Sequence, residues 1–226
     1  DAYANTATGF NGPISIAIGT NPGSSTLSGT DTVNASSGSA TFAGLSLNKV
    51  GTSYTLVASS SGLTSATSAG FDVTAGTPTS ITVSSGNNQT GTVGSALSSA
   101  CVAIVKDTHN NVVPSATVDW STSAGTLSSA SNATNASGLS STTLTLGTTA
   151  GATTVTATVH GTALSVNFSA TGTPGSISTS QSTLSISGST VASGSTRTVT
   201  LTGKDAYGNA LTSGGATVAF GISGGG

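Results

Sequence analysis

The sequence predicts an all-β protein built from tandem β-sandwich domains. Three observations support this: apolar residues alternate with Ser and Thr in short runs, helical 3.6-residue periodicity is nowhere sustained, and similar phrases recur roughly every 100 residues. Ser and Thr make up about 38% of the 226 residues, and 31 residues are Gly. β-Branched Thr and Val favour strands, whereas Gly, Asn and Ser at the breaks favour turns.

Charged residues are scarce in this chain. They make up 4% of the sequence, Glu and Met are absent, and the formal net charge is −2, whereas soluble domains carry about 25% charged residues. No basic patch supplies the electrostatic footprint of a nucleic-acid-binding protein. No apolar run approaches the roughly 20 residues of a membrane helix. We therefore expect neither a nucleic-acid partner nor a membrane span in this segment.

Two kinds of phrase define the repeat. The phrases "GTPTSI" and "GTPGSI" place Pro78 and Pro174 96 residues apart. The phrases "DAYAN", "DTHNN" and "DAYGN" begin at Asp1, Asp107 and Asp205. A period near 100 residues matches one Ig-like sandwich domain.

The middle repeat predicts about seven strands, with apolar residues at alternate positions. The predicted strands are Ser80–Ser84, Ala100–Lys106, Ala116–Thr122, Thr126–Ser128, Leu139–Leu146, Ala152–His160 and Leu164–Ala170. Cys101, Ala103 and Val105 share one face of the second strand, and Val118 and Trp120 share one face of the third. The other repeats carry apolar residues on matching faces, as a shared core requires. Val199 and Leu201 align with Cys101 and Ala103. Ile14 and Ile16, and likewise Val218 and Phe220, align with Val118 and Trp120. Tyr54, Leu56 and Ala58 align with Val155, Ala157 and Val159.

Three Ig-like domains are expected, two of them incomplete. Asp1 falls in the turn after the second strand, so residues 1–76 should lack their first two strands. Residues 77–172 should form a complete domain, and residues 173–226 the N-terminal part of a further one. We therefore expect a window from a longer tandem array. Completion of one copy by the tail of another is disfavoured, because the tail would also supply a third strand that duplicates residues 1–20.

The Asp-led turns are the first candidates for a site. In Asp107–Asn111 and Asp205–Asn209 the carboxylate can accept bonds from backbone N–H groups, and Asn or Gly tolerates a left-handed backbone. The alternative is calcium binding between domains, which needs several carboxylates or carbonyls in one loop. Each loop offers one carboxylate and no Glu. We therefore predict structural turns and neither metal nor cofactor.

The other reactive residues give no stronger prediction. His109 and His160 lack partners at ligand spacing, which disfavours zinc, and no Ser–His–Asp set can be argued, so catalytic residues are not expected. Cys101 is expected to be a small buried hydrophobe, with a reactive thiol or an intermolecular bridge as alternatives. Isopeptide bonds would need buried lysines, whereas solvated strand and loop ends are expected for Lys49, Lys106 and Lys204.

Two aromatic residues and several sequons carry further expectations. Trp120 is expected in the core, where Ig domains bury a Trp, although a sugar-stacking platform is the alternative. Tyr54 resembles a tyrosine corner, which would tie a loop to the backbone. N-linked glycans are possible at Asn34, Asn88, Asn132, Asn135 and Asn167, and the Thr-rich faces could carry O-linked glycans.

The segment "VKDTHNNVVPSATVDWSTSAGTLSSASNATNASGLSSTTLTLGTTAGATTVTATV" resembles the bacterial Ig-like domains of the invasin/intimin group. The shared pattern is Asp-x-x-x-Asn, a Pro, a strand, "GTLS", an Asn-containing turn with Gly, and "VTAT". The first repeat resembles a related module of very long bacterial surface proteins. The resemblance implies an extracellular, noncatalytic spacer. Nothing in these residues resembles the lectin-like tip of invasins, so receptor binding is not implied.

The sequence therefore predicts a structural repeat segment of a bacterial extracellular fibre, stalk or surface adhesin. Its partners would be neighbouring Ig-like repeats of the same chain and, because charge normally keeps domains apart, other copies in lateral or end-to-end association. One alternative is a carbohydrate- or surface-binding accessory module of a secreted or cell-wall protein. Another is an Ig-like decoration domain of a virion.

Overall fold

The computed structural model describes residues 5–214 and 217–219, which form twenty β-strands and no helix. The prediction of an all-β fold is confirmed. The chain divides into two compact units. The first comprises the described residues up to Ser80 together with Val105–Pro114 and Ala136–Gly138, and the second comprises the other described residues. The residues described include no helix long and apolar enough to cross a membrane.

The first unit contains eight short strands. They are β1 (Pro13–Ile18), β2 (Leu27–Ser28), β3 (Thr32–Asn34), β4 (Ser46–Leu47), β5 (Gly51–Tyr54), β6 (Leu56–Ser59), β7 (Ala66–Thr67) and β8 (Phe71–Val73). A four-stranded antiparallel sheet has the order β3-β1-β6-β7, and β2-β4 and β5-β8 form two further pairs. Ile16 of β1 lies opposite Ala58 of β6, so the predicted inward residues do share a face. Both are half-buried, whereas Tyr54 is fully buried.

The strands from β9 onward lie almost entirely in the second unit. They are β9 (Ser80–Ser85), β10 (Gln89–Thr92), β11 (Cys101–Lys106), β12 (Thr117–Thr122), β13 (Thr126–Leu127), β14 (Ser131–Ala133), β15 (Leu139–Thr142), β16 (Leu144–Thr145), β17 (Gly151–Val159), β18 (Ser165–Thr173), β19 (Thr183–Ile186) and β20 (Val199–Thr202). A five-stranded sheet has the order β10-β18-β17-β12-β14, and a three-stranded sheet has the order β15-β11-β9.

The second unit buries the residues that the alternation predicted. Val118, Val155 and Ala157 are fully buried, and Trp120 is 4% exposed. Trp120 lies opposite Ala157 in the antiparallel register of β12 and β17. The Trp120 ring also packs against Phe168 of β18, with ring centroids 5.6 Å apart. The core therefore forms where alternate residues of adjacent strands meet on one face.

The predicted strands of the middle repeat are confirmed with small shifts in their ends, and two short strands were missed. The structure divides Leu139–Leu146 into β15 and β16 and adds β10 and β14. The β10 sequence, "QTGT", has no apolar residue and pairs in parallel with β18 some 80 residues away. A pattern of apolar alternation cannot detect such a strand, because tertiary pairing alone defines it.

The inward faces predicted for the last repeat are only partly confirmed. In the β19–β20 ribbon, Leu184 pairs with Leu201 and Ile186 with Val199, so the four apolar side chains do share one face. That face is exposed, with Val199 and Leu201 at 44% and 37% of full exposure. A two-stranded ribbon cannot bury its apolar face unless another element packs across it. Val218 is also exposed, and the predictions for Asp1 and Phe220 fall outside the described residues.

The buried indole gives the first testable expectation. Replacing Trp120 with Ala should lower the free energy of unfolding by about 3–5 kcal/mol, because it removes the packing of the indole against Phe168 and leaves a cavity. Urea denaturation followed by circular dichroism measures this change. Ser121→Ala, at an exposed position on the same strand, should stay within about 0.5 kcal/mol of the parent chain. Equal stability of the two variants would contradict the assigned strand face.

Candidate functional site

The first Asp-led turn is centred on a buried carboxylate. The Asp107 side chain is 4% exposed. Its Oδ1 accepts hydrogen bonds from the backbone N–H groups of His109 and Asn111, both at 2.9 Å. Its Oδ2 accepts from the backbone N–H of Gly76 at 3.0 Å and from Asn111 Nδ2 at 2.9 Å. The carboxylate therefore ties the turn to a glycine 31 residues earlier in the chain.

The Asn111 amide extends this network to a third segment. Asn111 Nδ2 donates to the carbonyl oxygen of Asn48 at 3.1 Å, and Asn111 Oδ1 accepts from the N–H of Val50 at 3.3 Å. Lys49 Nζ adds a bond to the carbonyl oxygen of His109 at 2.8 Å. We call the turn Asp107–Asn111, Gly76 and the loop Asn48–Val50 the first latch. All of it lies within the first unit.

The second Asp-led turn repeats this geometry within the second unit. Asp205 Oδ1 accepts from the N–H groups of Tyr207 and Asn209, both at 2.9 Å. Asp205 Oδ2 accepts from the N–H of Gly175 at 3.0 Å and from Asn209 Nδ2 at 2.8 Å. The Asn209 amide then bonds the carbonyl of Thr148 and the N–H of Ala150, both at 2.8 Å. We call Asp205–Asn209, Gly175 and the loop Thr148–Ala150 the second latch.

The backbone of both turns also matches. The fourth residue of each turn is left-handed, with φ of 66° at Asn110 and 85° at Gly208. The N–H of this residue donates to the carbonyl of the leading Asp at 3.0 Å in both turns. Asn and Gly are the residues that tolerate this conformation best. The predicted bonds from backbone N–H groups to the carboxylate and the predicted left-handed Asn or Gly are therefore confirmed in the two turns described.

Buried side chains hold the loop of the first latch in place. Tyr54 is fully buried, and its hydroxyl donates to the carbonyl of Lys49 at 2.8 Å. This bond is the predicted tyrosine-corner contact. Ser25 Oγ accepts the N–H groups of Asn48 and Lys49 at 2.8 and 3.1 Å. Gly23 leaves space for this packing, since a Cβ there would clash with the Tyr54 hydroxyl and the Val50 carbonyl.

The hydrogen bonds of the latches favour the ionised carboxyl. Burial by itself raises the pKa of Asp107, but the bonds from the Asn111 side chain and from the N–H groups of Gly76, Asn111 and His109 outweigh it and lower the pKa to about 2. Burial likewise raises the pKa of Asp205, but the bonds from Asn209, Gly175 and Tyr207 outweigh it and lower the pKa to about 2. Each latch is therefore built around an anion that N–H donors compensate.

This arrangement argues against the calcium alternative for these turns. The Asp107 and Asp205 oxygens already accept N–H donors where a cation would need free lone pairs. Across residues 5–214 and 217–219, no three His, Cys, Asp or Glu side chains lie close enough together to hold a metal ion.

The histidines differ in their surroundings. His160 Nδ1 lies 2.7 Å from Asp119 Oδ2 at the protein surface, a pairing that sequence spacing did not indicate. The bond from His160, then the bond from Ser131, lowers the pKa of the Asp119 carboxyl. The carboxylate stands between the other two side chains, so the order differs from a Ser–His–Asp relay, in which His is central. His109 enters the first latch only through its backbone groups.

The remaining candidates serve the core or lie at the surface. Trp120 Nε1 donates to Asn132 Oδ1 and Ser140 Oγ at 3.2 and 3.1 Å, so this Trp is a core residue and no sugar platform. The Asn132 sequon is engaged as well, because Asn132 Nδ2 donates to the carbonyl of Ser141 at 2.7 Å. Cys101 is buried at 2% exposure, as expected, and burial raises the pKa of its thiol. Asn34, Asn88 and Asn167 are exposed.

Comparison with known proteins finds likeness in structure rather than in sequence. No protein-family model matches the chain, and no curated protein matches its sequence. Among solved structures, FdeC, an Escherichia coli adhesin, matches 94% of this chain and 68% of its own at 24% identity and a TM-score of 0.54. Invasin, a bacterial integrin-binding protein, matches 90% of this chain and 41% of its own at 18% identity and a TM-score of 0.49. The D0-D1 domain of intimin matches 74% of this chain and 83% of its own at 22% identity and a TM-score of 0.35.

The match to FdeC establishes the fold. The likeness to FdeC, which covers most of the chain, confirms an Ig-like β-sandwich architecture of the kind found in bacterial adhesins. The resemblance to bacterial Ig-like adhesin domains is thus confirmed at the level of the fold. Their receptors are properties of those proteins.

The low pKa values of the two latches predict a response to acid. The pKa of an unfolded Asp is about 3.9, and the pKa of each folded carboxyl is about 2. The stability that they contribute is therefore complete above the unfolded value and is lost as the pH falls towards 2. We expect the melting temperature of the parent chain to fall between pH 5 and pH 2 in differential scanning calorimetry.

Removing the latch carboxylates should weaken this response. The double variant Asp107→Asn/Asp205→Asn should have a lower melting temperature than the parent chain at pH 7. Its melting temperature should also fall less between pH 5 and pH 2. Asp31→Asn, at an exposed position, controls for the loss of a negative charge and should retain the parental response. A double variant with the full acid response of the parent would show that the latches do not govern it.

Proposed function

We propose that this chain is a noncatalytic structural segment of a bacterial extracellular fibre, stalk or surface adhesin. Its residues would form three tandem Ig-like modules, 1–76, 77–172 and 173–226, of which the first and last are incomplete. The observation that carries the proposal is the recurrence of one latch geometry in two places, with each Asp-led turn bonded to a glycine and to a loop of earlier sequence. A repeated joint is expected of a tandem array.

The fold and the side chains support a spacer role. A solved structure that matches 94% of this chain is an adhesin. The Trp that could have served as a sugar platform is buried, which weakens the alternative of a carbohydrate-binding module. Hydrogen bonds occupy the strongly perturbed carboxyls Asp107 and Asp205, which leaves little for a catalytic role.

Surface exposure tests this role directly. We expect antibodies raised against the 226-residue chain to label intact, unpermeabilised cells of the source bacterium in immunogold electron microscopy. The label should lie at the cell surface or along filaments. Labelling that requires permeabilisation would contradict an extracellular role.

We further propose that copies of the segment associate with one another. Two features support association: few charged groups stand on the strand faces, and one face of the β19–β20 ribbon exposes Leu184, Ile186, Val199 and Leu201. Exposed apolar patches on otherwise polar domains commonly mark contact surfaces. A sparsely charged surface offers little electrostatic resistance to such contacts.

Association should be visible in the purified, unglycosylated chain. Multi-angle light scattering should show a mass that rises with protein concentration. The double variant Leu184→Thr/Leu201→Thr should weaken this rise, because it removes an apolar cross-strand pair. Thr183→Ser/Thr202→Ser changes a pair on the same two strands and serves as the matched control. A strictly monomeric parent chain at high concentration would overturn self-association and leave the spacer role alone.

A further inference from the structure

Both latches recognise the same backbone pattern. In each, the Asn side-chain amide meets two groups of one loop: the carbonyl of residue i and the N–H of residue i+2. In the first latch these are the Asn48 carbonyl and the Val50 N–H, at 3.1 and 3.3 Å from the Asn111 amide. In the second they are the Thr148 carbonyl and the Ala150 N–H, both 2.8 Å from the Asn209 amide.

The leading Asp fixes the orientation of this amide. A carboxamide has two N–H donors on one nitrogen and an acceptor oxygen. The Asn111 nitrogen donates to Asp107 Oδ2 as well as to the loop, and the Asn209 nitrogen does the same with Asp205 Oδ2. Because the carboxylate only accepts, it holds the nitrogen on its own side and presents the oxygen to the loop N–H. The Asp is thus the positioning residue, and the Asn makes the contact.

The two recognised loops share no residue type at matched positions. The first reads Asn-Lys-Val and the second Thr-Thr-Ala. The contacts that recur use backbone atoms of the loop only. The bond from Lys49 Nζ to the carbonyl of His109 is an addition of the first latch, where Thr149 stands at the matching position of the second.

We propose that the Asp-x-x-x-Asn turn is a docking surface for the backbone of a module loop, whatever side chains that loop carries at its second and third positions. The partner it selects is any loop that presents the carbonyl of residue i and the N–H of residue i+2 on one side. This inference rests on the tandem array proposed above. In such an array, any module could follow any other, so the order and number of modules could change without redesign of the joints.

Exchange of the loop side chains tests the idea. Lys49→Thr/Val50→Ala and Thr149→Lys/Ala150→Val transfer the side chains of each loop to the other. Asn48 is retained because its side chain accepts the N–H of Thr26 and so supports the loop itself. Hydrogen exchange of the amides of residues 50 and 150, followed by NMR and corrected for intrinsic rates, should stay within about threefold of the parent chain.

Changing the turn should have the opposite effect. Asn111→Ala should speed exchange at residue 50 by roughly three- to tenfold, because the amide loses its acceptor, and should leave residue 150 unchanged. Asn111→Asp keeps the shape of the side chain but places a second carboxylate beside Asp107. It should therefore also speed exchange at residue 50. Thr108→Ala, an exposed change in the same turn, is the matched control and should have no effect.

Two outcomes would overturn the proposal. One is loss of protection after the loop exchange, which would mean that side chains carry the recognition. The other is full protection at residue 50 in both Asn111 variants, which would mean that the amide does not hold the loop. Both are measured on the purified chain, so they are independent of the surface-labelling result that tests the proposed function.

Discussion

A buried carboxylate held by N–H donors is the interaction on which both latches depend. Removing a charge from water is unfavourable unless the charge is paired or hydrogen-bonded. This chain has four Lys and Arg residues, and the carboxylates of Asp107 and Asp205 are compensated by N–H groups instead of cations. Bonds to an ionised acceptor are about twice as strong as neutral ones. Because the donors come from separate stretches of chain, satisfying the charge also fixes where those stretches meet.

Elsewhere in the structure, buried polar groups are also satisfied by uncharged hydrogen-bond partners. Trp120 brings an N–H into the core, and Asn132 and Ser140 accept it there. Tyr54 carries its hydroxyl inward and directs it to a loop carbonyl. Within the described residues, no buried side-chain nitrogen or oxygen lacks a hydrogen-bond partner. Small polar side chains and backbone groups thus satisfy the buried polar atoms, without the ion pairs found in more charged domains.

Sequence patterns predicted the parts of this fold that depend on near neighbours. Alternation placed Trp120 and Val155 on the correct faces, because long strands paired on both sides require apolar residues at every second position. The Asp-x-x-x-Asn phrase predicted that the carboxylate accepts backbone N–H groups and that an Asn or Gly tolerates a left-handed backbone, because these features depend on residues within the turn. Strand β10 escaped detection because it has no apolar residue and is defined by its pairing with β18. The contact of Asn111 with residues 48–50 spans more than 60 residues and leaves no local trace.

The turns contribute side-chain groups to the latches and the loops contribute backbone groups. This difference explains which features of the repeat recur and which vary. Asp, Asn and a left-handed residue recur at fixed spacing because each supplies an atom or a backbone conformation that no other position can supply. The recognised loops can differ because their contribution is a carbonyl and an N–H, which nearly every residue has. Core positions vary in identity, as where Tyr54 of the first repeat matches Val155 of the second and both are fully buried, because a core requires apolar residues more strictly than particular ones. In a chain of this composition, the short polar turn is therefore a better marker of the repeat than the apolar core.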